Sequence, residues 1–378
     1  MRRSLFLVLI AGLTLPAFAQ SPNVVPRISV EQLEQTLAEA HGEPDAQVAH
    51  RLANLELTER LSEPRRMRLD ADLPGTDARQ ALMNLTNASE FLDLPKAEIP
   101  NTPPPDRATQ TAMLAKARDY VLKTILKLPN FFAIRETANF EGVPAISRVE
   151  AVNGPKFEPL HQVGRSSVTV LYRDRRELVA KGKKQEASTK ELRTMGEFGP
   201  VLVTVFSDVA NGKVIWSHWE QGAAGPMAVF HFSVPEQASH YLVSYNSIEH
   251  GAEHDPAYHG EIALNPDDGS ILRLTAMAEQ KAGDPILSAD LLVDYGPVEI
   301  GGVSYVCPVK SVALSVVRMV IQELDFTTGA VKGTTLGQPR TYLNEVLFKQ
   351  YHLFRAEARI LTGSGPEPST VTPATQPK

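Results

Sequence analysis

Two different spacings of apolar residues divide the chain near Pro129. Before that residue, apolar side chains recur every three or four positions, as in "VEQLEQTL" at 30–37, and this spacing is typical of helices that bury one face. Beyond it the period shortens to two, as in "KVIWSHWEQ" at 213–221, which is typical of strands. The sequence therefore predicts an α+β protein with a helical N-terminal region and a large sheet.

Four helices are expected before Pro129. Ser29 and Gln32 form a candidate capping box for the first helix. Pro64 is expected to stop the second helix. The stretch "IPNTPPPD" at 99–106 cannot be helical, so it predicts a stiff linker before the last and longest helix. The helices after the first are expected at 45–61, 77–91 and 107–127.

About ten strands are expected after Pro129, joined mostly by short turns such as "NPDDGS" at 265–270 and "IGG" at 300–302. Short turns join antiparallel neighbours, because parallel strands need crossovers of a dozen residues or more. We therefore expect an antiparallel meander that forms one large curved sheet, covered on its apolar face by helix. One stretch from Ser188 to Gly212 has a helical pattern, with Ser188 and Glu191 as a capping box, and its Val-rich second half is an alternative strand.

The N-terminus has the pattern of a secretory signal peptide. Arg2 and Arg3 precede an apolar run from Leu5 to Leu15, and small residues follow it, so cleavage is expected after Ala19. No later stretch is long and apolar enough to cross a membrane. The mature protein is expected to be secreted, in the periplasm, without a transmembrane segment.

Composition narrows the class of protein further. Cys307 is the single cysteine, so no intramolecular disulfide can form. The net charge of −6 comes from interspersed residues of both signs, which argues against a nucleic-acid partner. The expected parts are a signal peptide at 1–19, a helical region at 20–99, a linker with the long helix at 100–128, a sheet domain at 129–361 and a disordered tail at 362–378.

The segments "HGEIALNPDDGSILRLTAMAEQ" and "ADLLVDYGPVEIGGVSYVCPVK" carry a family resemblance. A strand that ends in Asn-Pro-Asp-Asp-Gly, a return strand with Arg273 and the later Gly301 and Gly302 resemble the sheet of LolA-like proteins, the periplasmic lipoprotein-carrier superfamily. The resemblance covers about residues 107–360. It implies a half-open antiparallel barrel with a helix against its apolar concave face, and a lipid or lipidated protein as ligand. It does not extend to the helical region.

Aromatic residues lie on both faces of the predicted strands, so both faces must be covered or one must hold a ligand. The alternative is a core with two covered faces, roofed by the N-terminal helices. If a ligand is held, the residues expected to line its site are Phe131, Trp216, Trp219, Phe230, Phe232 and Tyr245.

Three histidines within ten positions, His250, His254 and His259, raise a metal-binding alternative. Four-residue spacing suits zinc, but the stretch reads His-Gly-Ala-Glu-His where the hydrolase signature is His-Glu-x-x-His. Gly251 and Pro256 also disfavour a helix there. We therefore expect these histidines to line a loop and a solvated sheet face.

No catalytic motif is present. The sequence lacks a Gly-x-Ser-x-Gly elbow and a phosphate-binding loop, and Cys307 in "YVCPV" fits a buried strand residue. We expect a protein without enzymatic activity or cofactor that binds a lipid, an acyl chain, or a lipidated or peptide partner in the concave face of the sheet. Two alternatives stay open: a metal-dependent hydrolase that uses the three histidines, and an envelope scaffold.

Overall fold

A computed structural model describes the protein over most of its length. The described residues are 25–123, 125–144, 157–174, 176–179, 197–222, 225–246, 251–281, 283–324, 327–328 and 331–354. The predicted signal peptide, the tail at 362–378 and His250 lie outside these ranges.

Six α-helices occur in the described part of the chain. Their bounds are α1 Val30–Glu39, α2 Asp45–Ala53, α3 Glu63–Ala71, α4 Thr76–Ser89, α5 Arg107–Lys123 and α6 Pro200–Asp208. The capping box is confirmed, since Ser29 Oγ accepts from the Gln32 backbone N–H and the Gln32 side chain accepts from the Ser29 N–H. At about 1.5 Å per residue, the 17 residues of α5 reach about 26 Å.

The helix boundaries differ from the prediction in three places. The helix expected over 45–61 ends at Ala53, because residues 56–57 instead form strand β2 (Glu56–Leu57), which pairs in parallel with β1 (Arg27–Ile28). Helix α3 was not predicted. Pro64 does not end a helix but lies in the first turn of α3, where its missing N–H costs nothing. The longest helix ends at Lys123 and not at Lys127, and a short 3₁₀ turn follows it.

Residues 25–98, with α1 to α4, are called the helical region below. It has a hydrophobic core of its own, to which α1, α2 and α4 contribute the buried residues Val30, Leu33, Val48, Leu52, Ala78, Leu82 and Leu85. Because this core contains no residue of the large sheet, the helical region is a packed unit in its own right.

The strands after α5 are β3 Phe131–Val143, β4 Glu158–Arg173, β5 Arg176–Val179, β6 Lys213–Gly222, β7 Gly225–Val234, β8 Val243–Asn246, β9 Gly251–His254, β10 Tyr258–Leu264, β11 Ile271–Ala278, β12 Ile286–Ile300, β13 Val303–Leu324 and β14 Val331–Leu353.

The large sheet has ten of these strands, in the order β5-β4-β3-β14-β13-β12-β11-β10-β7-β6, and every neighbouring pair is antiparallel. The expected mixture of helix and antiparallel sheet is therefore confirmed. The sheet is not closed, since β5 and β6 form its two edges. A separate two-stranded sheet pairs β8 with β9.

The simple meander that the turns predicted is only partly correct. Strands β10 to β14 follow one another in order, but β3 pairs with β14. Strand β7 pairs with β10, because β8 and β9, which lie between them in the sequence, form a separate sheet. Strand β14, the last in the described part of the chain, therefore lies inside the sheet, between β3 and β13. Of the stretch from Ser188 to Gly212, residues 188–196 lie outside the described ranges. Its Val-rich second half forms α6, with Pro200 in the first turn.

One face of the sheet is covered by α5 and α6. Met113, Ala117 and Val121 of α5 pack in the same core cluster as Val201, Leu202 and Val205 of α6 and the inward residues of most strands. Asp208, at the end of α6, adds a polar anchor on this face. Its buried carboxylate accepts hydrogen bonds from the His240 backbone N–H (2.8 Å) and from the Tyr258 hydroxyl (2.9 Å).

The helical region covers the opposite face. Phe140, Leu292, Val312 and Leu343 point away from α5 and α6, and Ala88 and Phe91 of the helical region pack against them. The protein therefore has three layers, with the sheet in the middle. The long helix covers the sheet as predicted, and the two-sided core roofed by the N-terminal helices is also present.

We predict that Gly269 is essential for the contact between α5 and the β10–β11 turn. Its φ is +77°, and a Cβ there would lie 2.5 Å from the backbone carbon of Lys116 in α5. Gly302 has a similar φ of +83° with nothing within 4 Å of a Cβ. Gly302→Ala should cost only the left-handed strain of about 1–2 kcal/mol, and Gly269→Ala should cost about 1–3 kcal/mol more. Urea denaturation measures both, and equal losses would contradict the close approach.

Candidate functional site

Three of the predicted ligand-lining residues are fully buried under helices. Phe131, Phe230 and Phe232 are each 0% exposed and belong to the core cluster that contains α5 and α6. The Phe131 ring stacks on Tyr172 at 5.1 Å and meets the edge of Phe198 at 5.4 Å between ring centres. These side chains are in contact with the protein's own residues, so a ligand could reach them only if the covering helices moved.

The two tryptophans lie at the border of the same cluster. The Trp216 and Trp219 rings are 4.9 Å apart in an edge-to-face arrangement, and Trp216 also meets Phe230 at 5.4 Å. The Trp219 indole N–H donates to the backbone carbonyl of Pro103 at 3.1 Å. Trp219 therefore fastens the Pro-rich linker to β6. The side chain of Tyr245 in β8 lies outside the described residues.

A cavity of about 290 Å³ lies on the other side of the sheet. It lies between the helical region, the end of β3, the start of β4 and the middle of β13 and β14. Most of its lining is apolar. From the helical region it is lined by Leu52, Leu55, Leu57, Ala81, Leu85, Ala88 and Leu92, and from the sheet side by Val143, Pro144, Phe157, Leu160, Leu314 and Val316. Several of these side chains are only half-buried, including Leu55, Leu92 and Phe157.

Polar groups are few and lie among this apolar lining. Asn84 donates through Nδ2 to the backbone carbonyl of Leu160 at 3.3 Å, a bond that crosses from α4 to β4. Arg27 pairs with Glu56 at 3.6 Å, and 64% of the Arg27 side chain is exposed. The cavity thus has apolar walls and polar groups that are paired or solvated, which suits an apolar ligand with a small polar end.

None of the cavity residues was among the predicted site residues. Leu52, Leu55 and Leu85 have the spacing of ordinary helix core residues, and the sequence does not tell a packed leucine from one that faces a void. The cavity arises from how two separately packed layers meet, which is a long-range property of the chain.

A buried ion triad joins the same two layers. Arg60, in the loop before α3, donates to Glu220 of β6 at 2.7 Å, and Arg273 of β11 donates to both oxygens of Glu220 at 2.7 and 2.6 Å. These three residues are 3%, 8% and 9% exposed. Burial of Glu220 opposes its ionisation, but the hydrogen bonds from Arg273 and the charges of Arg273 and Arg60 outweigh this and hold the pKa of Glu220 well below its usual value.

A second charged group lies further along the interface. Lys310 of β13 donates to Glu90, at the end of α4, at 3.1 Å. Asp294 of β12 pairs in register with Arg273 on one side and Lys310 on the other. Burial and the nearby Glu90 carboxylate raise the pKa of Asp294 to about 6. Asp290 pairs with Leu314, a cavity residue, and burial raises the pKa of Asp290 to about 7.

The structure places the candidate metal-binding histidines in different elements. His254 ends β9 and pairs with Val243, while His259 lies in β10 with its Nδ1 3.3 Å from a Glu279 oxygen. His250 lies outside the described residues, so the three-histidine site stays untested. Within the described ranges, no group of three or more His, Cys, Asp or Glu side chains could hold a metal ion.

Cys307, a predicted buried strand residue, and His240, which is not among the predicted site residues, both contribute to the fold. The Cys307 thiol lies in β13 and is 0% exposed, and burial raises its pKa to about 12. His240 is exposed, and its Nδ1 lies 2.6 Å from Asp208. The hydrogen bond and the charge of Asp208 raise the pKa of His240. Cys307 is thus a core residue, and His240 helps to fix the end of α6.

No helix in the described part of the chain has both the length and the apolar character needed to cross a membrane. No protein-family model matches this chain, and neither a curated protein nor a solved structure matches it. A function is therefore inferred from the cavity and the interface around it.

We predict that stability falls as the pH rises from 5 to 8. The pKa values of Asp290 and Asp294 are raised on folding, so their protonated forms stabilise the fold below pH 4, and this stability is lost as the pH rises through 6 and 7. Glu220 acts oppositely, because its lowered pKa gives stability that is lost as the pH falls below the ordinary glutamate value of 4.5. Maximum stability is thus expected near pH 5.

Urea denaturation at pH 5 and pH 8 measures this slope. Asp294→Asn and Asp290→Asn should each flatten it, because the amide cannot ionise. Asp119→Asn on α5, where 62% of the carboxylate side chain is exposed, is the control and should leave the slope unchanged. A wild-type protein that is more stable at pH 8 than at pH 5 would contradict the assignment.

Proposed function

We propose that the protein binds a small apolar ligand, such as an acyl chain, in the cavity between the helical region and the sheet, without catalysing a reaction. The observation that supports this most directly is the cavity of about 290 Å³ with its apolar lining. It lies between two layers that each have a packed core, so its empty space is not a consequence of a loosely packed protein.

The size of the cavity limits the ligand. Small-molecule sites usually have volumes of about 300–1,000 Å³, so this cavity is at the lower end. It suits a medium-length acyl chain or one end of a longer chain. Each buried methylene contributes about 0.8 kcal/mol, so even a short chain would bind measurably.

This location differs from the one that the LolA-like resemblance implied. The resemblance favours the face that bears Phe131, Trp216 and Phe230, which α5 and α6 cover. Binding there requires displacement of a helix, whereas the cavity on the opposite face is already present. The same proposal includes three expectations from the sequence. These are a half-open barrel, a relation to LolA-like proteins and a secreted, periplasmic location of the protein. The described residues offer no support for the hydrolase or for the scaffold.

Saturated fatty acids of increasing length test the proposal. After the protein is delipidated, its affinity should increase about fourfold for each added methylene, as about 0.8 kcal/mol implies, until the chain fills the cavity, and should then level off. Isothermal titration measures this series. Mass spectrometry of protein purified without delipidation should identify bound acyl chains. A protein that is always isolated empty and binds no fatty acid would disprove the function.

A matched pair of variants locates the ligand. Ala88→Phe places a ring in the cavity and should weaken binding at least tenfold, because Ala88 lies in its lining. Ala115→Phe adds the same ring on an exposed position of α5 and should leave the affinity unchanged. Equal affinities of the two variants would rule out this cavity as the site.

A further inference from the structure

The helical region meets the sheet through a few polar contacts, a small apolar cluster and the cavity. The hydrogen bonds that cross it include Arg60 to Glu220 at 2.7 Å, Lys310 to Glu90 at 3.1 Å, and Asn84 to the Leu160 carbonyl at 3.3 Å. Ala88 and Phe91 are the helical-region residues that pack with the apolar cluster on this face. An interface of this kind resembles the interfaces between domains that move relative to one another.

The two layers also have separate cores. The buried residues of the helical region pack among themselves, and the residues under α5 and α6 form a different cluster. Separation of the helical region from the sheet would therefore leave both hydrophobic cores intact. It would expose the cavity lining and the small cluster around Val312.

The Pro-rich linker between the helical region and α5 has the properties of a hinge, and its position on the sheet is fixed. Residues 101–104 are exposed, and the three consecutive prolines that begin at Pro103 keep the segment extended. The Trp219 indole holds the Pro103 carbonyl against β6. Movement of the helical region would therefore pivot near Pro103 while α5, which follows the linker, stays on the sheet.

Arg60 makes the shortest of these three hydrogen bonds across the interface, at 2.7 Å. Its side chain is buried, and it shares Glu220 with Arg273, which belongs to the sheet. When Arg60 leaves, Glu220 keeps its two hydrogen bonds to Arg273, so the sheet retains a paired carboxylate. The open form thus avoids the cost of an unpaired buried charge on the sheet side.

We propose that the helical region is a lid of the cavity, held closed by the bond between Arg60 and Glu220, and that it opens as a unit to admit the ligand while the sheet and α5 and α6 remain folded. This inference rests on the proposed function for its ligand, but the opening itself can be measured without one.

Thiol labelling at two positions tests the opening. Val312 is 0% exposed and lies under the helical region, and native Cys307 is 0% exposed on the face under α5 and α6. In a Val312→Cys variant, the introduced thiol and the native thiol report from one molecule. Tryptic cleavage after Lys310 places them in separate peptides for mass spectrometry. Each rate is normalised to that of the urea-unfolded protein. A lid predicts that the introduced thiol is labelled at least tenfold faster than Cys307.

Arg60→Met in the same background should increase the ratio of the two rates at least a further tenfold. Arg65→Met is the matched control, because Arg65 pairs with Glu34 and Glu98 inside the helical region. It should leave the ratio unchanged. General destabilisation of the protein accelerates the labelling of both thiols, so the ratio of the two labelling rates distinguishes it from opening of the helical region. Addition of decanoate to the Val312→Cys protein should slow the labelling of the introduced thiol alone.

Equal labelling of the two thiols would overturn the lid and leave ligand binding to be judged by the fatty-acid titration. Equal effects of Arg60→Met and Arg65→Met would overturn the role of Arg60. Fast labelling of the introduced thiol in a protein that binds no fatty acid would confirm the movement and overturn its link to a ligand.

Discussion

A sheet with apolar side chains on both faces must be covered on both faces, and this constraint determines the layout of the protein. Alternate residues of one strand face different covers, as Leu292 packs below the helical region and Val293 below α5 and α6. The two covers differ in kind. Helices α5 and α6 form a continuous apolar core with the sheet, whereas the helical region brings its own core and meets the sheet through charges, a small apolar cluster and a cavity.

The buried ion triad explains how the contact between the helical region and the sheet is held in one arrangement. A buried ion pair often contributes little net stability, because desolvation of the charges offsets their attraction, but a misaligned pair is costly. Glu220 accepts hydrogen bonds from Arg60 of the helical region and from Arg273 of the sheet. The triad therefore favours one docked position of the helical region over others. The same chemistry makes release possible, since Glu220 stays paired after Arg60 departs.

Local sequence patterns predicted the helices, strands and turns better than they predicted which of these elements contact one another. The capping box at Ser29, the turn at 265–270 and the change of period near Pro129 are short-range features, and the structure contains them. Pro64 was misread because proline ends one helix and begins another equally well, and the Val-rich α6 fitted two structures. The cavity and the triad could not be predicted, because Arg60 and Glu220 are 160 positions apart and no local pattern joins them.

Photo-crosslinking with a diazirine-labelled fatty acid tests the central claim most directly. The residues that cover the two faces of the sheet come from different parts of the chain, so the position of an adduct identifies the face that binds the ligand. If the cavity below the helical region is the site, mass spectrometry should find adducts at residues 81–92, 157–160 and 314–316. Adducts confined to residues 113–132 and 198–232, where α5 and α6 meet the aromatic side chains, would place the ligand on the opposite face and contradict the account.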